Sequence, residues 1–174
     1  MCNVPEKDVS EVIPNLWLGN IKSAYNKEFL NANKIKNILT VMDEFDNKYK
    51  YDDITYIVFP IKDTDVCTRN IISTFDVATF YILNSIKNNE AILIHCKRGH
   101  HRSAAIVAAF IIKYLKVDFQ STIAYINKLR PCALVRKTCM TDKLFNYYLH
   151  VNNIKVCDKS CGWKNKIYVC ECKK

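Results

Sequence analysis

The sequence predicts an α/β fold in which helices flank a mostly parallel sheet. Short apolar runs rich in β-branched residues, which are typical of strands, alternate with longer segments whose apolar residues recur every three or four positions, as in helices. That alternation favours a sheet covered by helices over an all-α or all-β architecture. The chain has 174 residues, a length that favours a single domain.

The strand predictions rest on composition. Three short extended segments lie at Leu16–Leu18, Ile35–Val41 and Ile54–Phe59. The run Ala91–Ile94 is apolar throughout, which is typical of a central strand covered on both faces. We expect that strand to end at His95.

The helix predictions rest on periodicity and on length. Four helices are expected over residues 71–89, 103–115, 120–129 and 140–151. In the first, apolar residues fall at 71, 75, 78, 82 and 86, which are helical spacings. The second is apolar on nearly every side, so we expect it to be buried in the core.

Charge and cysteine content narrow the class of protein. Lys and Arg number 26 against 17 Asp and Glu, a net charge of +9 that favours an anionic ligand. No apolar stretch is long enough to cross a membrane, and the first residues resemble no signal peptide. We therefore expect an intracellular, cytoplasmic protein, with the nucleus also open. In that setting the nine cysteines favour reduced thiols, a catalytic thiol or a metal site over a disulfide framework.

The segment that carries chemistry follows the apolar strand. Cys96 is separated by five residues from Arg102-Ser103, which open the buried helix. A strand-to-helix loop can direct its N–H groups at a tetrahedral anion, and Gly99 permits close approach of the main chain. Arg102 can bind two phosphate oxygens at once. These surroundings favour the thiolate of Cys96, a nucleophile directed at phosphorus.

This segment, with His95 before the cysteine, resembles the signature of the cysteine-dependent phosphatases. The chain is similar to the dual-specificity branch of the protein tyrosine phosphatase superfamily. Three more landmarks support the resemblance, at residues 12–20 with Ala24, at 59–63 and at 129–131. It implies the compact protein tyrosine phosphatase-like fold, with a sheet of about five strands. It also implies a catalytic domain over residues 9–151, followed by a Lys- and Cys-rich tail over 152–174.

The resemblance further implies a mechanism without metal or cofactor. Cys96 would attack phosphorus and form a cysteinyl-phosphate, while Arg102 and the loop amides bind the other oxygens. Ser103 would stabilise the departing thiolate, although it could instead simply open the helix. His95 would orient the loop and favour the thiolate rather than act as a base. An aspartate would protonate the leaving oxygen and later assist the attacking water.

Two aspartates are candidates for that acid. Asp63 follows the Phe-Pro-Ile-x pattern that ends a strand in this family, and it is the first choice. Asp65 lies 31 residues before Cys96, close to the family's usual separation, whereas Asp63 lies 33 residues before it. The candidate that is not the acid would be a turn-forming residue.

The interior of the signature is basic, and it bears on the substrate. We expect Lys97, Arg98, His100 and His101, with Gly99 and Arg102, to contribute to phosphate binding. The two adjacent histidines lack partners at ligand spacing and are not predicted to bind metal. A phosphoprotein substrate, with phosphotyrosine and phosphoserine or phosphothreonine, is the first prediction.

Two alternatives remain open for the function. The positive charge also favours substrates with several phosphates, such as the 5′ end of RNA or a phosphoinositide. A non-catalytic phospho-binding module is a further alternative. The sequence contains no indication of the oligomeric state.

The tail carries four cysteines whose role is open, at Cys157, Cys161, Cys170 and Cys172. They could bind a structural zinc ion, form disulfides or stay reduced. The extended alternation from Ile167 onward, with Gly162 in a turn region, would permit a small hairpin.

Overall fold

A central sheet of five strands organises the molecule. The computed structural model describes residues 7–43, 50–62, 71–135 and 138–154, and the backbone of 162–164 and 167–169. In chain order the elements are β1 Val9–Ile13, β2 Leu16–Gly19, α1 Ile21–Tyr25, α2 Lys27–Ala32, β3 Ile35–Thr40, β4 Thr55–Val58, α3 Ile72–Lys87, β5 Ala91–His95, α4 Arg102–Tyr114, α5 Phe119–Leu129, α6 Cys139–Val151, β6 Gly162–Lys164 and β7 Ile167–Val169.

The strand order is β1-β2-β5-β3-β4, with β5 in the centre. The β2–β5, β5–β3 and β3–β4 pairs are parallel, and β1 alone among these five strands pairs antiparallel, with β2. The predicted mostly parallel α/β sheet is confirmed. The register places Gly19 and Thr40 on either side of His95. The carboxyl ends of three strands therefore meet at the edge of the sheet where ligands of open α/β folds bind.

Helices cover both faces of this sheet. One apolar cluster contains side chains of α3, α4, α5 and α6, and the other contains side chains of α1 and α2. Every residue from Arg102 to Ile112 in α4 is buried, which confirms the prediction made from its continuous apolar sequence. Because packing fixes α4 along its length, the loop that leads into this helix ends on a rigid element.

Three short elements had not been predicted as separate: β1, α1 and α2. The helices α1 and α2 contain only 5 and 6 residues, too few to show apolar periodicity. Each begins instead at an asparagine cap, because the Asn20 side chain accepts from Ser23 N and the Asn26 side chain accepts from Phe29 N. Side-chain capping of this kind can start a helix without an apolar face. The other boundaries differ from the prediction by one or two residues.

The cysteines correct one expectation. Cys132 and Cys139 are disulfide-bonded, so the prediction of reduced thiols is wrong for these two. A cysteine count does not show which thiols the fold brings together. In the tail, β6 pairs antiparallel with β7, and Gly162 lies in a strand rather than in the turn. The four tail cysteines lie outside the described residues. No helix within the described ranges is both long and apolar enough to span a membrane.

Candidate active site

The signature loop, defined here as Cys96 to Arg102, connects the end of β5 to the start of α4. Cys96 is only 3% exposed. Its Sγ atom accepts hydrogen bonds from the backbone N–H of Gly99, at 3.3 Å, and from the Ser103 hydroxyl, at 3.2 Å. Both contacts direct a donor hydrogen at the sulfur. The hydroxyl of Ser103 thus contacts the thiol and does not cap α4, whose cap residue is His101.

Four consecutive carbonyls of this loop are bound by donors that lie outside it. The pairs are Lys97 O with Ile21 N at 3.4 Å, Arg98 O with Arg130 Nη2 at 3.4 Å, Gly99 O with Arg130 Nε at 3.2 Å, and His100 O with Leu134 N at 3.0 Å. These donors come from the start of α1 and from the segment between α5 and α6. Two separate parts of the fold therefore set the backbone of the loop.

The consequence is a set of N–H groups directed the other way. In a planar trans peptide the carbonyl of one residue and the N–H of the next point in opposite directions. The bound carbonyls of residues 97–100 therefore place the N–H groups of residues 98–101 on the opposite side of their peptides, and the N–H of Gly99 donates to Cys96 Sγ. The N-terminus of α4 adds its dipole on that side. Such an arrangement binds a tetrahedral anion.

Gly99 is required by this geometry for two reasons. Its φ is +73°, in the left-handed region that side chains disfavour. A Cβ atom there would also lie 2.6 Å from Gly19 O and 2.9 Å from Arg130 Nη2. The loop thus packs directly on the end of β2 and on a buried guanidinium.

His95 enters the loop from β5 as a buried, neutral ring. Its Nε2 lies 2.8 Å from the Oγ1 of Thr40 on the neighbouring strand. Burial lowers the pKa of His95 to about 4, although a hydrogen bond with the Cys96 backbone opposes that shift. At neutral pH the ring therefore contributes orientation through Thr40 rather than positive charge.

Arg102 links the loop to the segment that follows β4. Its side chain is 5% exposed, and its Nη1 donates to the Ile61 carbonyl at 2.8 Å. Ile61 stands two residues before Asp63 in the sequence. Asp63 and Asp65 themselves lie outside the described residues, so the choice between them stays a prediction.

The basic side chains of the loop differ in exposure. Lys97 and Arg98 are exposed, whereas His100 and His101 are half-buried, with ring centroids 6.2 Å apart. Across the described ranges, no three or more His, Cys, Asp or Glu side chains group together as metal ligands would.

Four residues that position the loop were missed as site residues: Ile21, Thr40, Arg130 and Leu134. Ile21 and Leu134 act through backbone N–H groups, and Thr40 acts through its hydroxyl, from a strand that lies next to β5 only after folding. None of these contacts leaves a signal in a single sequence. Arg130 belongs to a landmark of the family resemblance, but nothing in Leu129-Arg130-Pro131 reveals that its guanidinium is buried against the loop.

The fold and the loop together place a buried thiol, Cys96, at the start of a strand-to-helix loop of the kind that can bind a phosphate-like anion. The family model of the dual specificity phosphatase catalytic domain matches residues 16–149. The chain is 32% identical over 125 residues to Dual specificity protein phosphatase 22-B of Danio rerio, an alignment that covers 72% of this chain and 66% of the relative. The chain belongs to the dual specificity phosphatase family, and it spans just under two thirds of that relative's length.

Solved structures agree on the fold. Human DUSP28 superimposes with a TM-score of 0.77 at 18% identity, covering 86% of this chain and 97% of DUSP28. PTPMT1 in complex with PI(5)P superimposes with a TM-score of 0.71 at 14% identity, covering 84% of this chain and 98% of PTPMT1. At these identities the two structures show the shared fold alone.

Proposed function

We propose that this protein is a dual-specificity protein phosphatase that hydrolyses phosphotyrosine and phosphoserine or phosphothreonine through a cysteinyl-phosphate intermediate. One observation carries the proposal: the Cys96 sulfur accepts two hydrogen bonds on the side of the loop to which the N–H groups of residues 98–101 are turned. An anion bound by those groups would lie directly against the nucleophile.

In the first step the Cys96 thiolate attacks phosphorus. The S–P bond forms as the P–O bond to the substrate side chain breaks, and the leaving oxygen takes a proton from Asp63 or Asp65. The loop N–H groups and Arg102 stabilise the charge on the three remaining oxygens, and they do so without reorganisation because the loop is already fixed. Arg102 suits this role since a guanidinium binds two oxygens in one plane.

In the second step water attacks the phosphorus of the cysteinyl-phosphate. The same aspartate accepts a proton from the water, the S–P bond breaks, and inorganic phosphate leaves. The sulfur departs as a thiolate, and the hydrogen bonds from Ser103 Oγ and Gly99 N stabilise it. No metal ion or organic cofactor takes part in either step.

A comparison of substrates tests the proposal. Purified protein is assayed on a phosphotyrosine peptide, a phosphothreonine peptide, 5′-triphosphate RNA and a phosphoinositide, with release of inorganic phosphate as the readout. Turnover of both peptides with higher kcat/KM than the other two substrates supports the proposal. Tight binding of a small aryl phosphate without turnover would favour a non-catalytic phospho-binding module.

A second candidate is a phosphatase for substrates with several phosphates, a phosphoinositide or the 5′ end of RNA. The observation in its favour is that Lys97 and Arg98, next to the nucleophile, are both exposed and so can attract additional phosphate groups. The PTPMT1 structure contains a bound PI(5)P. We also propose that the protein acts inside the cell, in the cytoplasm or nucleus, where a reducing environment keeps the Cys96 thiol free for catalysis.

A further inference from the structure

Arg130 is a buried cation that the proposed mechanism does not use. It follows α5 directly, as the cap residue of that helix, and is 1% exposed. Burying a guanidinium is costly unless several of its donors are bound.

Within the described part of the chain, the guanidinium donates to three backbone carbonyls. Nε contacts Gly99 O at 3.2 Å, Nη2 contacts Arg98 O at 3.4 Å, and Nη1 contacts Lys7 O at 2.9 Å. Two of these carbonyls are adjacent in the signature loop, and the third belongs to the segment before β1. Only the planar fork of an arginine can address carbonyls in this arrangement, because an ammonium group is a compact point charge.

One of these contacts leads directly to the nucleophile. The carbonyl of Arg98 and the N–H of Gly99 belong to the same peptide group, and that N–H donates to Cys96 Sγ at 3.3 Å. A cation at the carbonyl end both orients this peptide and polarises it, since hydrogen bonds in a chain strengthen one another. The bond to Gly99 O acts in the same way on the next peptide, whose N–H belongs to His100.

The packing around Gly99 matches this arrangement. A Cβ on Gly99 would lie 2.9 Å from Arg130 Nη2. The absence of a side chain at residue 99 therefore allows the guanidinium to reach the loop backbone.

We propose that Arg130 is a positioning residue of the active site, which binds the Arg98 and Gly99 carbonyls from behind and so directs the Gly99 and His100 N–H groups at the substrate phosphate. The inference rests on the proposed function. In this role Arg130 does not contact the substrate and acts entirely through the backbone of the loop.

A purely structural role makes a different prediction. If Arg130 only fastened the loop, α5 and the N-terminal segment together, its removal would lower the free energy of unfolding but leave the phosphate affinity of the folded protein unchanged. A positioning role requires that phosphate affinity fall as well.

The test compares Arg130→Met, which keeps the length without the donors, and Arg130→Lys, which keeps the charge without the fork. The dissociation constant of inorganic phosphate is measured by calorimetry below the unfolding transition, and kcat and KM are measured with a small aryl phosphate. We expect Arg130→Met to weaken phosphate binding about 10- to 100-fold and Arg130→Lys to weaken it by a smaller factor. We expect kcat/KM to fall further for Arg130→Met than for Arg130→Lys.

Tyr147→Phe is the matched control. Its hydroxyl donates to Asp76 Oδ1 at 2.8 Å and so joins α6 to α3, two helices that supply none of the donors to the loop carbonyls named above. We expect this variant to be less stable but to bind phosphate as the wild type does.

Wild-type phosphate affinity in folded Arg130→Met would overturn the proposal. If that variant does not fold, Arg130→Lys decides, because a phosphate dissociation constant equal to the wild type's would equally overturn it. Failure of the proposed function is distinguishable from failure of this inference. A wild-type protein that binds phosphate but hydrolyses no phosphoester would refute the phosphatase, while the phosphate measurements would still test Arg130.

Discussion

The signature loop and the segment that follows β4 meet at Arg102, and they are attached to the rest of the fold in different ways. The signature loop has four consecutive carbonyls bound from α1 and from the segment between α5 and α6. The segment after β4, residues 59–62, is attached through Phe59 N to Thr40 O at 2.8 Å and through Ile61 O to Arg102. Its Lys62 also pairs with Asp43 at 3.7 Å, but Lys62 is largely exposed, so the pair contributes little.

The nucleophile and the general acid are therefore positioned in different ways. The position of the nucleophile follows from the packing of the sheet and helices, before any substrate binds. The segment leading to the candidate acids is attached to the site through Arg102, the side chain that we propose also binds phosphate. Substitutions in the loop should therefore affect every substrate, and substitutions in the acid segment should depend on the leaving group.

The largest effect is expected for Cys96→Ser, which removes the nucleophile and leaves the loop unchanged. A serine hydroxyl is a much weaker nucleophile than a cysteine sulfur. We expect residual turnover below about one per cent of wild type, with phosphate binding retained. Turnover of an aryl phosphate and calorimetry with phosphate measure the two properties. Residual activity well above that level would remove Cys96 from this role.

Arg102→Lys should disturb both the signature loop and the segment after β4, because Arg102 connects the two. The lysine keeps the charge but loses the two-oxygen geometry and the 2.8 Å bond to the Ile61 carbonyl. We expect kcat/KM to fall by about 10²-fold or more on every substrate, as when one donor to a developing charge is lost. Near-normal kcat/KM would show that Arg102 neither binds the transferred group nor positions the acid segment.

Asp63→Asn and Asp65→Asn identify the general acid and test whether the acid segment, unlike the signature loop, acts according to the leaving group. Loss of the true acid should slow turnover of a phosphopeptide about 10²–10⁴-fold. An activated aryl phosphate, whose leaving group needs less protonation, should be affected less. Each variant serves as the control for the other. If Asp63→Asn behaves as wild type on the peptide and Asp65→Asn is impaired, our preference for Asp63 is wrong.

The features that could be predicted from sequence are those whose residues are continuous in the chain. The central strands, α4 and the signature loop are continuous in the chain, so apolar pattern and motif spacing predict them together. The donors that shape the loop are not continuous with it: Ile21, Arg130 and Leu134 reach it only after folding. For the acid, residue type allows two candidates two positions apart, and spacing alone does not separate them.

A smaller effect concerns the pH dependence of stability. Burial lowers the pKa of His95 to about 4, so the unfolded chain takes up this proton at a higher pH than the folded protein does. The stability that the protein derives from keeping His95 neutral is fully present above about pH 6.5 and is lost as the pH falls towards 4. The free energy of unfolding should fall by about 3 kcal/mol over the whole window. Urea unfolding of the wild type at pH 7 and pH 4.5 measures it.

The control variants isolate His95 in that experiment. His95→Gln should show a smaller loss of unfolding free energy between the two pH values, whereas replacing the exposed His150 with Gln should leave the loss as in wild type. Asp76 titrates outside this window. Burial raises its pKa, but hydrogen bonds from Lys113 and Tyr147 more than offset that, so its net pKa is lowered and its contribution is lost only at more acidic pH. Equal losses in all three proteins would show that His95 is not buried as a neutral ring.

The smallest effect is expected when both exposed cations of the loop, Lys97 and Arg98, are replaced by alanine. Their carbonyls, not their side chains, are bound by the fold, so the loop should keep its shape and only the local charge should change. Because exposed charges are screened by salt, we expect kcat/KM to fall several-fold more for a substrate with several phosphates than for a singly phosphorylated peptide. That difference should shrink as salt rises. Replacing Lys87 and Lys116, two exposed lysines outside the loop, removes the same net charge and should not discriminate between the substrates. An equal loss on both substrates in the loop variant would mean that these cations do not select the substrate, and that the loop acts on phosphate through its backbone and Arg102.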